Sequence, residues 1–458
     1  MRDLVYDLVG HAAKVNYDDL PQDVVEITKK FILDTLGTAI AGSSAPGSGS
    51  VAELIRDWGG KEESTVMIYG GKVVAPHAAL INGMMAQALD LDDVHDEAVL
   101  HANATVLPSA LAMAERTGNV HGKDLIEAVA VGNDVLCRIG LGVIGPLTWT
   151  LTSVTGYFGA TIAAGKILGL DESKLRHAIG IAFAQCAGSA QSVLDRALVK
   201  RMHSGFGAKA GVLSAIFAEK DITGAKDIFE GRFGFFPLYF GGKYDRNKVT
   251  EGLGKTFEGK NLSIKLYIGG RYTHPCIDAT LTIVEENNIG PDDVTEVVAH
   301  VTEASSVMVG KPFEIGESPQ VEAQFSIPYG IALAIARRHV FIEDFFEERI
   351  RGDTGVLQLA KKVKVIGDQG SIESIGRRMT PVVIEIKTKD EKIYSERVEV
   401  ISGSPGKPAS MEAVAEKFRK CAAFSAKPLP KGNIEEIIRL VKDLEAVPDV
   451  RSITGLTV

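Results

Sequence analysis

A series of helical segments with small residues on several faces narrows the fold more than any other feature. "PHAALINGMMAQALD" (76–90), "TGYFGATIAAGKILGL" (155–170) and "GFGAKAGVLSAIFAEK" (205–220) repeat apolar residues at helical spacing and are dense in glycine and alanine. Small residues let neighbouring helix backbones approach closely, so these segments specify a buried bundle rather than an array of surface helices. "PQDVVEITKKFILDTLGTAIAG" (21–42), stopping at Gly42, reads the same way, as do "LPSALAMAERTG" (107–118), "GKDLIEAVAVGNDVLCRIG" (122–140) and "DESKLRHAIGIAFAQCAG" (171–188).

From about residue 262 the period changes. "VTEVVAHVTEA" (294–304) and "PVVIEIKTKDEKIYSERVEV" (381–400) alternate as strands do, the second as a hairpin turning near Asp390. "FSIPYGIALAIARRHV" (325–340) between them is helical, and so is the tail, "SMEAVAEKFRKCAAF" and "NIEEIIRLVKDLEAV". The expected fold is mainly α: a large all-helical domain, residues 1–261 plus 402–458, with a smaller α+β lid domain over 262–401. The 458 residues supply ample core. A net charge of -9 without a long basic run argues against nucleic-acid and membrane-surface partners. No apolar run reaches the roughly 18 residues that span a bilayer. The N-terminus lacks a signal peptide's apolar core. Cys137, Cys186, Cys276 and Cys421 are scattered without a CxxC, which supports neither a zinc ribbon nor a disulfide framework. The expectation is a cytoplasmic protein.

"ALDLDDVHDEAVLHANATVLP" (88–108) packs Asp90, Asp92, Asp93, Asp96 and Glu97 around His95 and His101. The preceding helix ends near Asp90, where the helix dipole disfavours acids, so stability alone would place lysine or arginine there. A solvated loop would tolerate the misplacement. "DDVHD" has the DDxxD spacing that holds magnesium and diphosphate in isoprenoid synthases, but no second acidic helix accompanies it, and no metal or cofactor is expected. Acid/base chemistry is the third reading. A crowded, partly buried carboxylate has a raised pKa, and a nearby histidine titrates near neutrality, so Asp90 and His101 could move protons.

Two cationic segments bear on that choice. "LVKRMHSGFGAKAG" (198–211) sets Lys200, Arg201 and His203 before a Gly/Ala-rich helix, an arrangement that attracts anions unless it is merely a basic surface turn. In "SIKLYIGGRYTHPCIDATLTIV" (263–284), Lys265 and Tyr267 share a face if extended. Arg271 and His274 lead into a helix whose start is marked by Thr273 and Pro275. This second segment lies at the expected domain boundary, where ligand clefts are common. A basic linker is the plainer alternative.

These residues resemble the MmgE/PrpD family, which includes 2-methylcitrate dehydratase, cis-aconitate decarboxylase and iminodisuccinate epimerase. The resemblance runs through "NGMMAQALDLDDVHDEAVLHANATVLPSALAMAE", "SVTGYFGATIAAGKILGLDESKLRHAIGIA", "KRMHSGFGAKAG", "IKLYIGGRYTHPCIDA", "AQFSIPYGIALA" and "GKPASMEAVAEKF", nearly the whole chain. It implies a helical domain with an α+β lid, a homodimer and a cofactor-free site in the interdomain cleft. It carries catalytic positions over to Asp90, His101, Lys200, Lys265 and Tyr329. Arg271, His274, His203, Thr150 and Asn103 are the candidate substrate-binding residues. The family's HPS is His101-Ala102-Asn103 here, the threonine after its paired Asp is Val94, Thr150 stands where a pocket histidine is expected, and Ile268-Gly269-Gly270 replaces bulkier residues.

The implied function is a metal-free lyase on a small di- or tricarboxylic acid, removing water or CO₂ by proton transfer beside a carboxylate. Asp90 and His101 would share the proton-carrying roles, Lys200, Lys265 and Arg271 would hold carboxylates, and Tyr329 would donate to the substrate. Asp92, Asp93, Asp96 and Glu97 would position the loop or be solvated. An epimerase of a dicarboxylic acid and a non-catalytic carboxylate binder are the alternatives.

Overall fold

The computed structural model describes residues 2–368 and 379–458. The chain divides into two units, Met1–Leu262 with Ser410–Val458, and Ser263–Ala409. Mainly helical architecture with a smaller α+β unit is what the helical and alternating patterns dictate.

The first unit opens with α1 (Leu4–Lys14), whose Leu4, Val5, Leu8 and Val9 form one buried stripe. There follow α2 (Gln22–Gly42), α3 (Ala75–Gln87), α4 (Asn103–Thr117), α5 (Gly122–Gly142), α6 (Leu151–Ile167), α7 (Glu172–Phe183) and α8 (Val199–Glu219). Helix α8 packs on α3 and α6, and α6 packs on α5. The small residues act as the sequence suggests. A Cβ on Gly205 of α8 would lie 2.2 Å from the Leu80 carbonyl oxygen of α3, and one on Gly159 of α6 would lie 2.8 Å from the Gly132 oxygen of α5. Either would push two backbones apart. Among the described residues no helix is long and apolar enough to cross a membrane.

Arg138 of α5 is fully buried. It pairs with Asp134 at 2.9 Å and donates to the carbonyls of Glu251 and Thr256, each at 2.7 Å. His11 Nε2 approaches the other Asp134 oxygen at 3.0 Å. One buried charge pair thus ties α1 and the 249–258 segment to α5.

In the second unit, α9 (His274–Glu286) follows Pro275-type helix entry, with Thr273 as N-cap, though the Thr273 hydroxyl bonds back to Gly270 rather than capping. Strands β1 (Val294–Val301), β2 (Val363–Gly367), β3 (Val382–Thr388) and β4 (Ile393–Val398) form one sheet ordered β2-β1-β3-β4, and α10 (Ile327–Arg337) packs on α9. Only β2 runs parallel to its neighbour. Val382, Ile384, Ile386 and Thr388 are the buried face of β3, and the β3–β4 hairpin turns around Asp390. The first strand is shorter than its alternation suggests. Thr302 ends it by capping a helix, its hydroxyl accepting from the Ser305 N–H.

The chain then returns to the first unit. Helix α11 (Met411–Ala422) packs on α2, and α12 (Lys431–Lys442) follows it. Buried Lys417 of α11 pairs with Asp34 at 2.6 Å and donates to the Leu91 carbonyl at 2.8 Å. The late helix is thereby fastened to the acid-rich loop.

Candidate active site

The acid loop is built from the ends of α3, α4 and α8. Past the end of α3, Asp90 takes φ +55°, a left-handed turn that redirects the chain. Its carboxylate meets Lys200 Nζ at 2.9 Å. Lys200 is the second residue of α8, so the helix begins before the cations and not after them. Two residues on, Asp92 is fully buried, and its Oδ2 lies 3.1 Å from His101 Nδ1. Asp93 is fully buried as well and accepts the Ala102 and Asn103 N–H groups at the start of α4. A carboxylate there complements the positive helix end.

Asp92 and Asp93 are therefore not solvated, contrary to the wider part of the sequence expectation, whereas Asp96 is half-buried and Glu97 exposed. Burial, and then the charge of adjacent Asp92, push the Asp93 carboxyl up to about 7. This pocket holds its acids tightly packed, and one of them titrates near neutrality.

His101 is anchored through its N–H to Thr152 Oγ1 at 3.0 Å, in the first turn of α6. Thr150, the N-cap position of α6, donates its hydroxyl to the Gly188 carbonyl at 2.9 Å and lies 3.0 Å from His203 Nδ1. His203 and Lys200 are one turn apart on α8 and share a face. Burial, with the Lys200 ammonium adding to it, lowers the His203 pKa. Asn103 is fully buried and accepts from Asn133 Nδ2 at 3.0 Å.

The second unit carries its own polar group. Lys265 is 1% exposed, which no solvated linker would be. Its neighbour Tyr267 donates to Asp278 at 2.8 Å from a bent rather than extended segment. Arg271 Nη1 lies 3.3 Å from His274 Nδ1 and donates to the Ser402 carbonyl at 3.2 Å. Tyr329 is buried between Phe313 and Phe345, and its hydroxyl proton goes to the Asp344 carbonyl at 2.9 Å. As placed, Tyr329 keeps acceptor capacity, and donating to a substrate would require giving up that bond.

The MmgE/PrpD N-terminal domain family matches residues 6–247, and the MmgE/PrpD C-terminal domain family matches residues 267–443. The chain belongs to the MmgE/PrpD family. It is similar to a cis-aconitate decarboxylase of Aspergillus terreus, 27% identical over 97% of this chain and 94% of that protein. It is also similar to the human cis-aconitate decarboxylase, 27% identical over 97% of this chain and 92% of that protein. The mouse cis-aconitate decarboxylase is 25% identical, over 97% of this chain and 91% of that protein.

In this MmgE/PrpD chain, Asp90, His101, Lys200, Thr150 and His203 come together around the ends of α3, α6 and α8. Lys265, Arg271, His274 and Tyr329 belong to the other unit. Asp90, Asp92 and His101 bring one ligand atom each within 4.8 Å of one another, a spacing that suits a cation. The Lys200 ammonium already stands on Asp90, so a metal there would meet a like charge.

Two contributors escaped the sequence reading: Lys417 holds the loop through Leu91, and Gly188 supplies a carbonyl to Thr150. Nothing in the sequence pattern signals either. Asp92, expected to position the loop or be solvated, is buried beside His101.

Proposed function

We propose that this MmgE/PrpD chain is a lyase acting on a small tricarboxylic acid, with cis-aconitate the first candidate and loss of CO₂ the first reaction to test. The observation that carries the reading is the buried pairing of Asp92 with His101, beside the pairing of Asp90 with Lys200. As placed, Asp92 Oδ2 and His101 Nδ1 are in ion-pair contact at 3.1 Å without hydrogen-bond geometry; a carboxylate on this side of the ring favours hydrogen on Nδ1 and leaves Nε2 for proton exchange. The names carried by the fungal and mammalian relatives support the choice of acid.

Departure of CO₂ leaves an electron pair that conjugates into a remaining carboxylate, and carbon must then receive a proton. His101 and Asp90 are the groups proposed to carry it. Lys200 can exchange Asp90 for a substrate carboxylate; within the second unit, Lys265 and Arg271 are proposed as carboxylate-binding cations. Cations of this kind also stabilise charge as it spreads onto the carboxylate in the transition state.

The test is a panel of cis-aconitate, citrate, 2-methylcitrate and iminodisuccinate in deuterated water, followed by ultraviolet absorbance, CO₂ release and chiral analysis. Turnover of cis-aconitate with CO₂ release is expected. His101→Ala and Asp90→Asn should each lower kcat by about 10²-fold or more. Carbon-bound hydrogen exchange without group loss would replace the lyase reading with epimerisation. Wild-type turnover in either variant would remove that residue from the proton path.

A further inference from the structure

We propose that Thr150 and Gly188 lock His203 with its resting proton on Nδ1, so that Nε2 is the position at which a second proton is taken from solvent and passed to the carbon that CO₂ leaves, beside His101. The reactive part of this inference rests on the lyase reading; the lock itself does not.

The argument is a count of hydrogens. The Gly188 carbonyl takes the Thr150 N–H at 3.0 Å and the Thr150 hydroxyl at 2.9 Å. A carbonyl only accepts, so the single hydroxyl hydrogen points at Gly188. What the hydroxyl has left for His203, 3.0 Å away, is a lone pair. The ring nitrogen facing it is therefore the one bearing hydrogen, and in a neutral imidazole Nε2 is then an acceptor. Ser192 Oγ lies 3.5 Å from Nε2, at the outer limit of hydrogen bonding. His203 is only 7% exposed, and its surroundings favour the uncharged ring, which keeps the lone pair open near neutrality.

The support is dedicated to this task. Gly188 sits at φ +124°, and a Cβ there would meet Ser153 Oγ at 2.2 Å and Thr150 Oγ1 at 3.3 Å. Only glycine presents its carbonyl to Thr150 in this way. Three segments converge on one imidazole: the 188 turn, the start of α6 and the first turns of α8. Thr150 occupies the place where the family resemblance implies a histidine. Here it orients an imidazole supplied by α8.

The experiment uses the full chain with ¹⁵N-labelled histidine, and two-bond ¹H–¹⁵N correlations read each ring's tautomer. The signals lost in His203→Asn assign the residue. Nδ1–H is expected in the wild type, with a shift toward Nε2–H in Thr150→Val and a return in Thr150→Ser. His203→Asn keeps an N–H for Thr150 but has nothing at Nε2. On the acid that the panel identifies it should lower kcat by about 10²-fold with KM little changed. An Nε2–H wild type would overturn the lock, and near-normal kcat in His203→Asn would overturn the proton-carrying role. A wild type that turns over none of the panel acids defeats the lyase reading, while the tautomer measurement still decides the lock.

Discussion

Asp90 and Lys200 each stand where a helix dipole disfavours them, an acid just past the end of α3 and a cation in the first turn of α8. Their 2.9 Å contact lets each cancel the other's penalty. Because an ammonium already occupies the acid cluster, dialysis against EDTA is expected to leave turnover unchanged, and loss of activity restored by a divalent metal would count against this. Asp93 makes a sharper case. Folded, its carboxyl holds a proton up to about pH 7, whereas an unfolded aspartate holds one only to about pH 4. Between those values the folded state binds more protons, so the Asp93 contribution is greatest below the unfolded pKa and is lost as pH rises through about 7. Asp93→Asn keeps an acceptor for the α4 N–H groups and removes the titration. Urea unfolding should show the variant gaining on the wild type between about pH 4 and about pH 7, by at most about 4 kcal/mol, and levelling off above that. A constant difference between the two would mean that Asp93 does not titrate there.

Helix α8 transmits its packing to the site because Lys200 and His203 lie within two turns of its start and Gly205 lies just beyond. The Gly205 contact is with backbone, which cannot rotate away. Gly205→Ala should therefore cost about 1–3 kcal/mol and lower kcat by shifting Lys200, measured by urea unfolding and by kinetics on the folded fraction. Unchanged stability would show that α3 and α8 can slide apart freely. The elements themselves were legible where a period existed: Gln22–Gly42 ends at the expected glycine, and β3 alternates as Val382, Ile384 and Ile386 require. Their starts were less so. The sequence reading starts α8 after the cations, at the Gly/Ala-rich run, whereas Lys200 sits in its first turn, where Asp90, 110 positions away, compensates the charge. Likewise α4 begins at Asn103, four residues ahead of the expected "LPSALAMAERTG", since Asp93 satisfies its first N–H groups. The site loop was visible as a cluster of acids, but which of them are buried depends on tertiary contacts that leave no periodic trace. The Thr150–Gly188 bond is of the same kind, between residues 38 positions apart with no local pattern.

At the scale of the whole chain, the acid loop depends on residues from opposite ends of the sequence. Lys417 reaches Asp34 at 2.6 Å and the Leu91 carbonyl at 2.8 Å, and all of these groups are buried. Lys417→Met would leave Asp34 in the interior without that ammonium, at a cost of about 3–5 kcal/mol. It should also loosen the segment carrying Asp90 and Asp92, so kcat should fall in the protein that remains folded. A variant of normal stability and activity would show that the loop holds its shape alone. The clamp also fixes an order of events on the ribosome. Asp34, Leu91 and the acids emerge first, and Lys417 follows 326 positions after Leu91. At about 5–20 residues per second, that delay is on the order of 15–65 s. Throughout it the nascent chain carries buried-type carboxylates without the Lys417 ammonium to receive them, a window in which chaperones would find an unfinished pocket, and the pocket closes only once α11 has emerged.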